Sequence, residues 1–218
     1  MIRWLALALA CTGCDALFGL DGVTVIDAAP PPVDASDCQT AAITDTFSRP
    51  GEQPCDLWGV ALGDTSIANG ELVAVPETDG AQSGCDARAA EPLVASGVFV
   101  EVPQIGTHPD EYTFLTVYTT PDTGPAWSIT AGGGNISFGA DGDTTMIPYD
   151  PTGARWWRIR PSAGVMVGEL SPDGLTWTTL GVSSDAPPMT VSPKLGIGAG
   201  GGEPTTTEAH FAQLGVCP

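Results

Sequence analysis

The feature that most constrains the fold of this chain is a long succession of short β-type runs with turn residues between them. The runs are rich in Val, Ile, Thr and aromatic residues, which favour strands, and no long helical periodicity interrupts them. Clusters such as PDTGP, GADGD, YDPTGA and SPDG separate them and are typical of turns. The pattern predicts an all-β fold, a two-sheet antiparallel β-sandwich or jelly roll. The predicted strands cover residues 42–47, 70–75, 97–102, 112–119, 126–131, 135–139, 155–160, 165–170, 175–180, 194–200 and 208–216.

The composition excludes some classes of partner. The 218 residues include 28 Gly and 20 Pro, and the formal net charge is -19. Nucleic acids and anionic membrane surfaces are excluded as partners, because phosphate groups are repelled where no basic patch attracts them. The charge itself indicates a soluble surface.

The first residues have the organisation of an export signal. Arg3 precedes a short apolar run over residues 4–10, which is too short to span a bilayer. The following residues, Cys11-Thr12-Gly13-Cys14, resemble a bacterial lipobox, in which the cysteine after a small residue is lipidated. We therefore expect a lipoprotein signal peptide over residues 1–13 and lipidation of Cys14, with a plain cleaved secretory peptide as the alternative.

A spacer is expected to follow the signal. Residues 14–37 are rich in Pro, Ala and Asp and include three consecutive prolines at 30–32, a composition that favours extended conformations and builds no core. The β-sandwich domain is expected over residues 38–218. The predicted location is the cell envelope, at the outer membrane or its periplasmic face, with contact to the membrane through the lipid anchor only; secretion is the alternative.

Four cysteines lie beyond the expected spacer. Their even number in an oxidising compartment indicates two disulfides, for which three connectivities are possible. The preferred pairs are Cys38 with Cys217, which would join the two ends of the domain, and Cys55 with Cys85. A structural zinc site is the alternative, but no pair has the close C-x-x-C spacing that such sites usually show.

The stretch ARWWRIR at 154–160 concentrates three of the seven basic side chains and two of the six tryptophans. Pairing it with residues 165–170 across a loop at 161–164 directs Trp157 and Ile159 into an apolar core, where Gly168 would leave room for the Trp157 ring. The same pairing directs Trp156 and Arg158 to the opposite face. Glu169 is the expected cross-strand partner on that face.

The hairpin LSPDGLTW at 170–177 is similar to the Asp-box of sialidases, although it is one residue shorter. Asp-boxes mark the blades of propellers, but this chain has one copy. We therefore interpret the hairpin as a structural turn, in which Asp173 caps the loop and Trp177 packs beneath it.

The order of these motifs resembles the non-catalytic, laminin G-like branch of the concanavalin A-like lectin/glucanase superfamily. The motifs are DTF at 45–47 with Trp58 after it, GELVAV, the W-x-R-I-R strand, the S-x-D-G-x-T-W hairpin, a glycine-rich strand and a terminal A-x-F strand, together spanning residues 43–216. The resemblance implies a structural calcium ion near the chain ends, although Gln213 stands where the family has an acidic residue. The DGD stretch at 141–143 is an alternative calcium loop.

Catalysis is not expected from the motifs. Glucanases of that superfamily carry an E-x-D-x-E motif on one strand, which places two carboxylates on the same face as hydrolysis requires. The chain has no such motif: Glu71 and Glu101 are isolated, Asp110 and Glu111 are adjacent and alternate in direction on a strand, and the two histidines are far apart. We expect no catalytic residues.

Carbohydrate binding is the favoured function. Sugars are held by aromatic faces and by polar groups that reach their hydroxyls. Trp156 and Arg158, joined by Trp127 and Tyr118, are the predicted ligand-binding residues. The sequence thus predicts a non-catalytic lectin-like module that binds carbohydrate or another cell-surface component. The alternatives are a structural or adhesive module without a small-molecule site, and a glycoside hydrolase-related enzyme.

Overall fold

A computed structural model describes most of the expected β domain. The described residues are 43–49, 53–77, 81–87, 97–119, 126–140, 143–183, 191–199 and 207–217. The expected signal peptide, Cys14, the spacer and Cys38 lie outside them. No helix among the described residues is long and apolar enough to cross a membrane.

The described residues form two large antiparallel sheets and one small sheet, which confirms the predicted fold class. The order of strands in the first sheet is β1 (Ile43–Asp45), β16 (Gln213–Cys217), β6 (Gly97–Glu101), β11 (Trp156–Ser162), β12 (Val165–Ser171) and β13 (Thr178–Ser183). The second is a seven-stranded sheet with the order β10 (Asp143–Pro148), β9 (Asn135–Ala140), β8 (Ala126–Gly132), β7 (Glu111–Thr119), β14 (Val191–Ala199), β5 (Ser83–Asp86) and β2 (Val60–Leu62). The small sheet has the order β15 (Ala209–Phe211), β4 (Glu71–Val75) and β3 (Asp64–Ala68).

The core lies between the two large sheets and follows the two-residue period of their strands. Burial alternates along β8 and β9, so that alternate side chains of each strand point inward. β11 and β12 belong to the six-stranded sheet, and their inward side chains pack against the core from the other side. The fully buried members include Trp127, Ile129, Ile136, Phe138, Trp157, Ile159 and Met166.

One predicted disulfide is confirmed. Cys55 and Cys85 are bonded, with a distance of 5.6 Å between their Cα atoms, and join the segment before β2 to β5. Those two cysteines are therefore not zinc ligands. The proposed pairing of Cys38 with Cys217 lies partly outside the described residues.

The β11–β12 hairpin has a different register from the predicted one. Its loop is the two-residue turn Ala163-Gly164, where both residues have positive φ angles of 50° and 84°, rather than residues 161–164. Arg158 therefore lies opposite Glu169. The shift is two residues, so every side chain keeps its predicted face. The ring that fills the space at Gly168 is not Trp157, as predicted, but Phe138 from β9 of the opposite sheet.

Two of the three cations of the ARWWRIR stretch, Arg158 and Arg160, form a closed cluster on the outer face of the six-stranded sheet. Arg158 is 0% exposed and donates from Nε to Glu169 Oε2 at 2.7 Å. Arg160 donates to both Glu169 oxygens at 2.9 Å. The Arg158 guanidinium lies 3.9 Å from the centre of the Trp177 ring. Burial lowers the pKa of Arg158, while the hydrogen bond and the charge of Glu169 oppose that shift.

The hairpin after β12 covers this cluster and has the predicted cap. The Asp173 carboxylate accepts hydrogen bonds from the backbone N–H groups of Thr176 at 2.7 Å and Leu175 at 2.8 Å. These bonds, together with one from Ser171, lower the pKa of Asp173 from 3.8 to about 2. Gly174 has a φ of 73° and lies directly against the Trp156 ring. The prediction that Asp173 caps a structural turn is confirmed.

The substitution Glu169→Gln tests the buried cluster. It keeps the side-chain shape but leaves two guanidinium groups without their shared counter-charge, so we expect the free energy of unfolding to fall by about 3–5 kcal/mol. The matched control is Glu101→Gln, since Glu101 pairs with the half-exposed Arg155 and should contribute less than about 1 kcal/mol. Chemical denaturation measures both. Equal effects of the two substitutions would show that burial does not strengthen the cluster.

The Asp173 cap predicts a dependence of stability on acid. Because its folded-state pKa is depressed, its contribution is present above the unfolded pKa and is lost as the pH falls from about 4 to about 2. Asp173→Asn removes the titrating group and should flatten this part of the stability curve. Unfolding free energies of both proteins across that pH range test the prediction, which fails if the two curves stay parallel.

Candidate functional site

The outer face of the seven-stranded sheet forms an open groove. One cavity of about 350 Å³ lies over the sheet, and a second of about 310 Å³ continues from it, sharing Tyr112, Thr130 and Ser137 as walls. We call the two together the sheet groove. The residues that line the first cavity are Gln82, Tyr112, Phe114, Thr116, Tyr118, Ala126, Ser128, Thr130, Ser137, Gly139, Ala140 and Thr144.

Strand alternation explains why aromatic and hydroxyl side chains meet in the sheet groove. On β7 the odd-numbered Leu115 and Val117 point into the core. The even-numbered side chains of the same strand, from Tyr112 to Tyr118, point to the groove. Neighbouring strands add hydroxyl groups in register, and Thr116 and Ser128 are cross-strand partners whose side-chain oxygens lie 2.7 Å apart.

A chain of polar contacts connects a buried lysine to the wall of the groove. Lys194, the only lysine in the sequence, donates from Nζ to Gln82 Oε1 at 2.6 Å. Gln82 Nε2 in turn donates to the Tyr112 hydroxyl oxygen at 3.2 Å. The Asp86 carboxylate lies 3.8 Å from Lys194 Nζ. Lys194 and Asp86 are 7% and 5% exposed. Because water has little access to either group, each needs the opposite charge of the other.

The Tyr112 ring occupies space that is free because residue 198 is a glycine. Gly198 is the cross-strand partner of Tyr112 on β14. A Cβ atom at Gly198 would lie 2.5 Å from Cζ of that ring, so any larger residue would displace it. The ring also packs against Phe114, with 6.0 Å between ring centres. The position of the Tyr112 hydroxyl is thus fixed by the strand partner as well as by Gln82.

Two acidic residues line the second cavity, Asp110 and Glu111. Glu111 is 2% exposed and accepts hydrogen bonds from the His108 backbone N–H at 2.9 Å and from the Thr207 hydroxyl. Its position on β7 has the same parity as the core-facing Leu115 and Val117, so its side chain points away from the groove face. Asp110 is exposed at the cavity, whereas Asp86 is buried beside Lys194 and lines neither cavity.

The four predicted ligand-binding residues do not share a surface. Tyr118 lines the sheet groove. The prediction for Trp127 is wrong, because this side chain is 0% exposed in the core, on the inward face of β8. Trp156 and Arg158 lie on the other large sheet, where Trp156 is half-buried against Phe99. Arg158 is sealed, so its predicted contact with a ligand is also wrong.

The sequence-based search missed Gln82, Tyr112, Phe114 and Lys194. The available signal was the alternation of YTFLTVYT, which places both tyrosines and Phe114 on one face. A lone lysine within a glycine-rich strand was a second signal.

A separate apolar cavity of about 620 Å³ lies at one end of the sandwich. It carries no charged side chain, and burial, with a smaller effect of Asp150, raises the pKa of the Tyr149 hydroxyl at its wall. The remaining lining residues are Pro103, Gln104, Ile105, Gly106, Thr107, Pro109, Gly133, Gly134 and Pro151.

The structure adds no evidence for either of the two predicted calcium sites. Gln213 opens β16 opposite Glu101, and two residues of the DGD stretch lie outside the described ranges. Among the residues that the structure describes, no group of three or more His, Cys, Asp or Glu side chains is arranged to hold a metal ion.

Comparisons with known proteins place the fold. A scan against protein-family models and a sequence search of curated proteins each found no match. Solved structures do match. A β-1,3-1,4-glucanase (lichenase) derived from a mouse hindgut metagenome has a TM-score of 0.56 and 12% identity, covering 81% of this chain and 98% of its own.

Two further solved structures give the same result. The transglycosylase Crh5, in complex with NAG, has a TM-score of 0.62 and 13% identity, covering 80% of this chain and 82% of its own. A variant of SCLam, an endo-β-1,3(4)-glucanase from family GH16 that presents 1,3-β-D-cellobiosyl-glucose at its active site, has a TM-score of 0.58 and 11% identity, covering 81% and 93%. At such identities the likeness shows a shared concanavalin A-like jelly roll.

These comparisons correct the functional expectation. The sequence predicted a non-catalytic lectin-like module and no enzyme, because the E-x-D-x-E motif is missing. The finding contradicts that prediction, since the proteins that share the fold over most of this chain are glucanases and transglycosylases. Of the functions weighed from sequence, the glycoside hydrolase-related enzyme agrees best with them.

Proposed function

We propose that the chain is a carbohydrate-active enzyme related to glycoside hydrolases and that it binds a linear polysaccharide in the sheet groove. The observation that carries the proposal is the open, continuous groove along the seven-stranded sheet, lined by aromatic rings and hydroxyl groups. A groove open along its length accommodates a polymer, whereas an enclosed pocket would admit only a small molecule.

The lining has the chemistry that sugar recognition requires. Tyr112 and Tyr118 stand at separate positions along β7 and provide ring faces for pyranose stacking. The side chains of Ser128, Thr130 and Ser137 lie between them and can exchange hydrogen bonds with sugar hydroxyls. The fold likeness to enzymes whose names specify β-1,3- and β-1,4-glucans supports testing these polymers first.

Cleavage of a glycosidic bond by the usual routes needs two carboxyl groups on either side of it. The candidates are Asp110, which is exposed at the second cavity, and the two buried carboxylates Asp86 and Glu111. Asp86 is ion-paired and Glu111 is hydrogen-bonded, so both are held in fixed positions. We assign the catalytic role to carboxylates of this set, each of which is tested by its amide variant.

Sugar release from defined polymers tests the proposed function. The full chain is incubated with laminarin, mixed-linkage β-glucan and polygalacturonate, and new reducing ends and transfer products are measured. We expect release from at least one polymer, and we expect it to be lost in one or more of Asp86→Asn, Asp110→Asn and Glu111→Gln. Binding without product formation from any polymer would refute the enzymatic assignment.

A pair of substitutions locates the binding face. Tyr118→Ala removes a ring from the sheet groove and should weaken binding of the cleaved polymer about tenfold. Trp156→Ala alters the opposite sheet and should leave binding unchanged. Affinity electrophoresis measures both, with thermal unfolding as the control for folding. A larger loss in Trp156→Ala would move the site to the six-stranded sheet.

We further propose that the protein is exported and anchored to the cell envelope through a lipid on Cys14. The cysteine that follows the short apolar run supports this, and the Cys55–Cys85 disulfide agrees with an oxidising compartment. Metabolic labelling with a fatty acid should mark the wild type and Cys11→Ala but not Cys14→Ala. Label that persists in Cys14→Ala would contradict the assignment.

A further inference from the structure

The polar chain that ends at the groove wall has a fixed direction. It consists of Lys194, Gln82 and Tyr112, and we call it the lysine relay. An ammonium group can only donate hydrogen bonds, so the Gln82 oxygen must face Lys194. The amide nitrogen of Gln82 then faces Tyr112 and donates to its hydroxyl oxygen. The lysine therefore fixes the orientation of the Gln82 amide, with its oxygen toward Lys194 and its nitrogen toward Tyr112.

This direction determines what Tyr112 offers to a ligand. Because its oxygen accepts from Gln82, the Tyr112 O–H can be donated toward the sheet groove, where both Tyr112 and Gln82 form part of the wall. Each donor in the relay is polarised by the one before it, and the relay begins at a positive charge. The tip of the relay is therefore a hydrogen-bond donor that favours an electron-rich oxygen.

The charges around the relay narrow the class of ligand. Lys194 lines neither cavity: it is 7% exposed, is paired with Asp86 and reaches the groove only through Gln82, on a chain whose formal net charge is -19. Attraction of a polyanion by the protein as a whole is therefore excluded, and recognition of an acidic group must be local. At physiological ionic strength, charges beyond about 8 Å are largely screened, so a short-range donor can still select a carboxylate.

We propose that the polysaccharide bound in the sheet groove contains uronic acid units and that the lysine relay binds the uronate carboxylate through the Tyr112 hydroxyl. Tyr112 touches the ligand, whereas Gln82 and Lys194 act as positioning residues. The inference rests on the proposed function, because it names the substrate class of the same groove. A neutral glucan presents hydroxyls, which accept a hydrogen bond less strongly than an anionic oxygen does.

The substitution Gln82→Glu reverses the relay without changing its shape. A carboxylate at this position accepts from Lys194 and also from Tyr112, so the Tyr112 proton turns away from the groove and a negative charge is added beside it. The measurement is the affinity of the full chain for polygalacturonate and for laminarin by affinity electrophoresis. Wild type should prefer polygalacturonate, and Gln82→Glu should weaken that binding tenfold or more, by the loss of a charge-assisted hydrogen bond.

Two further variants keep the test independent of folding. Tyr112→Phe retains the ring on Gly198 but removes the donor, and Lys194→Met removes the charge at the start of the relay. Both should lower the affinity for polygalacturonate by a larger factor than the affinity for laminarin, while thermal unfolding reports whether each variant is folded. Only folded variants enter the comparison.

The outcomes separate this inference from the function on which it rests. Equal or tighter binding of laminarin by the wild type, or a preference for polygalacturonate that survives in Gln82→Glu and Tyr112→Phe, overturns the uronate inference and leaves the groove as a site for neutral glucan. Failure of the wild type to bind either polymer overturns the proposed function itself, and the inference falls with it.

Discussion

The contact between Phe138 and Gly168 is the constraint on which the rest of the structure depends. The Phe138 ring of the seven-stranded sheet occupies the place of the missing side chain at Gly168 of the six-stranded sheet, and Gly181 approaches the same ring. This close approach joins the two layers at native packing density. Because strand side chains alternate, directing Phe138 inward directs Ser137 and Gly139 outward. The core thus determines which residues face the sheet groove.

The two outer faces of the sandwich have opposite characters. On the six-stranded sheet, the hairpin capped by Asp173 places Trp177 over Arg158, and Glu169 neutralises the guanidinium groups beneath it. Two of the seven basic side chains of this acidic chain are therefore used in a buried network, where removal of one charge is costly. On the seven-stranded sheet, the face remains open, and its one lysine is buried next to Gln82, which lines the sheet groove.

Strand periodicity was sufficient to predict the fold but not the site. The hairpin of β11 and β12 was predicted two residues out of register, because the four-residue loop and the two-residue turn give the same alternation. Trp127 was misassigned since its face was not tested against a paired strand. The lysine relay joins residues 82, 112 and 194, which meet only because β14 lies between β7 and β5, and no local pattern reveals that order. Short strands such as β2, β3 and β5 also escaped prediction.

The non-catalytic prediction failed for a different reason. It relied on the absence of one arrangement of carboxylates on one strand, whereas side chains from separate strands and loops can reach the same groove. A sequence motif describes one way of placing two carboxylates at a glycosidic bond. Other ways can be recognised only in the folded structure, where residues of separate strands come together.

A crystal structure of the full chain with an oligosaccharide of the proposed substrate polymer would test the central claim most directly. We predict density for the sugar along the seven-stranded sheet, with rings against Tyr118 and an acidic oxygen within hydrogen-bond distance of the Tyr112 hydroxyl. Sugar bound beside Trp156 on the six-stranded sheet, or in the apolar cavity at the end of the sandwich, would contradict the account.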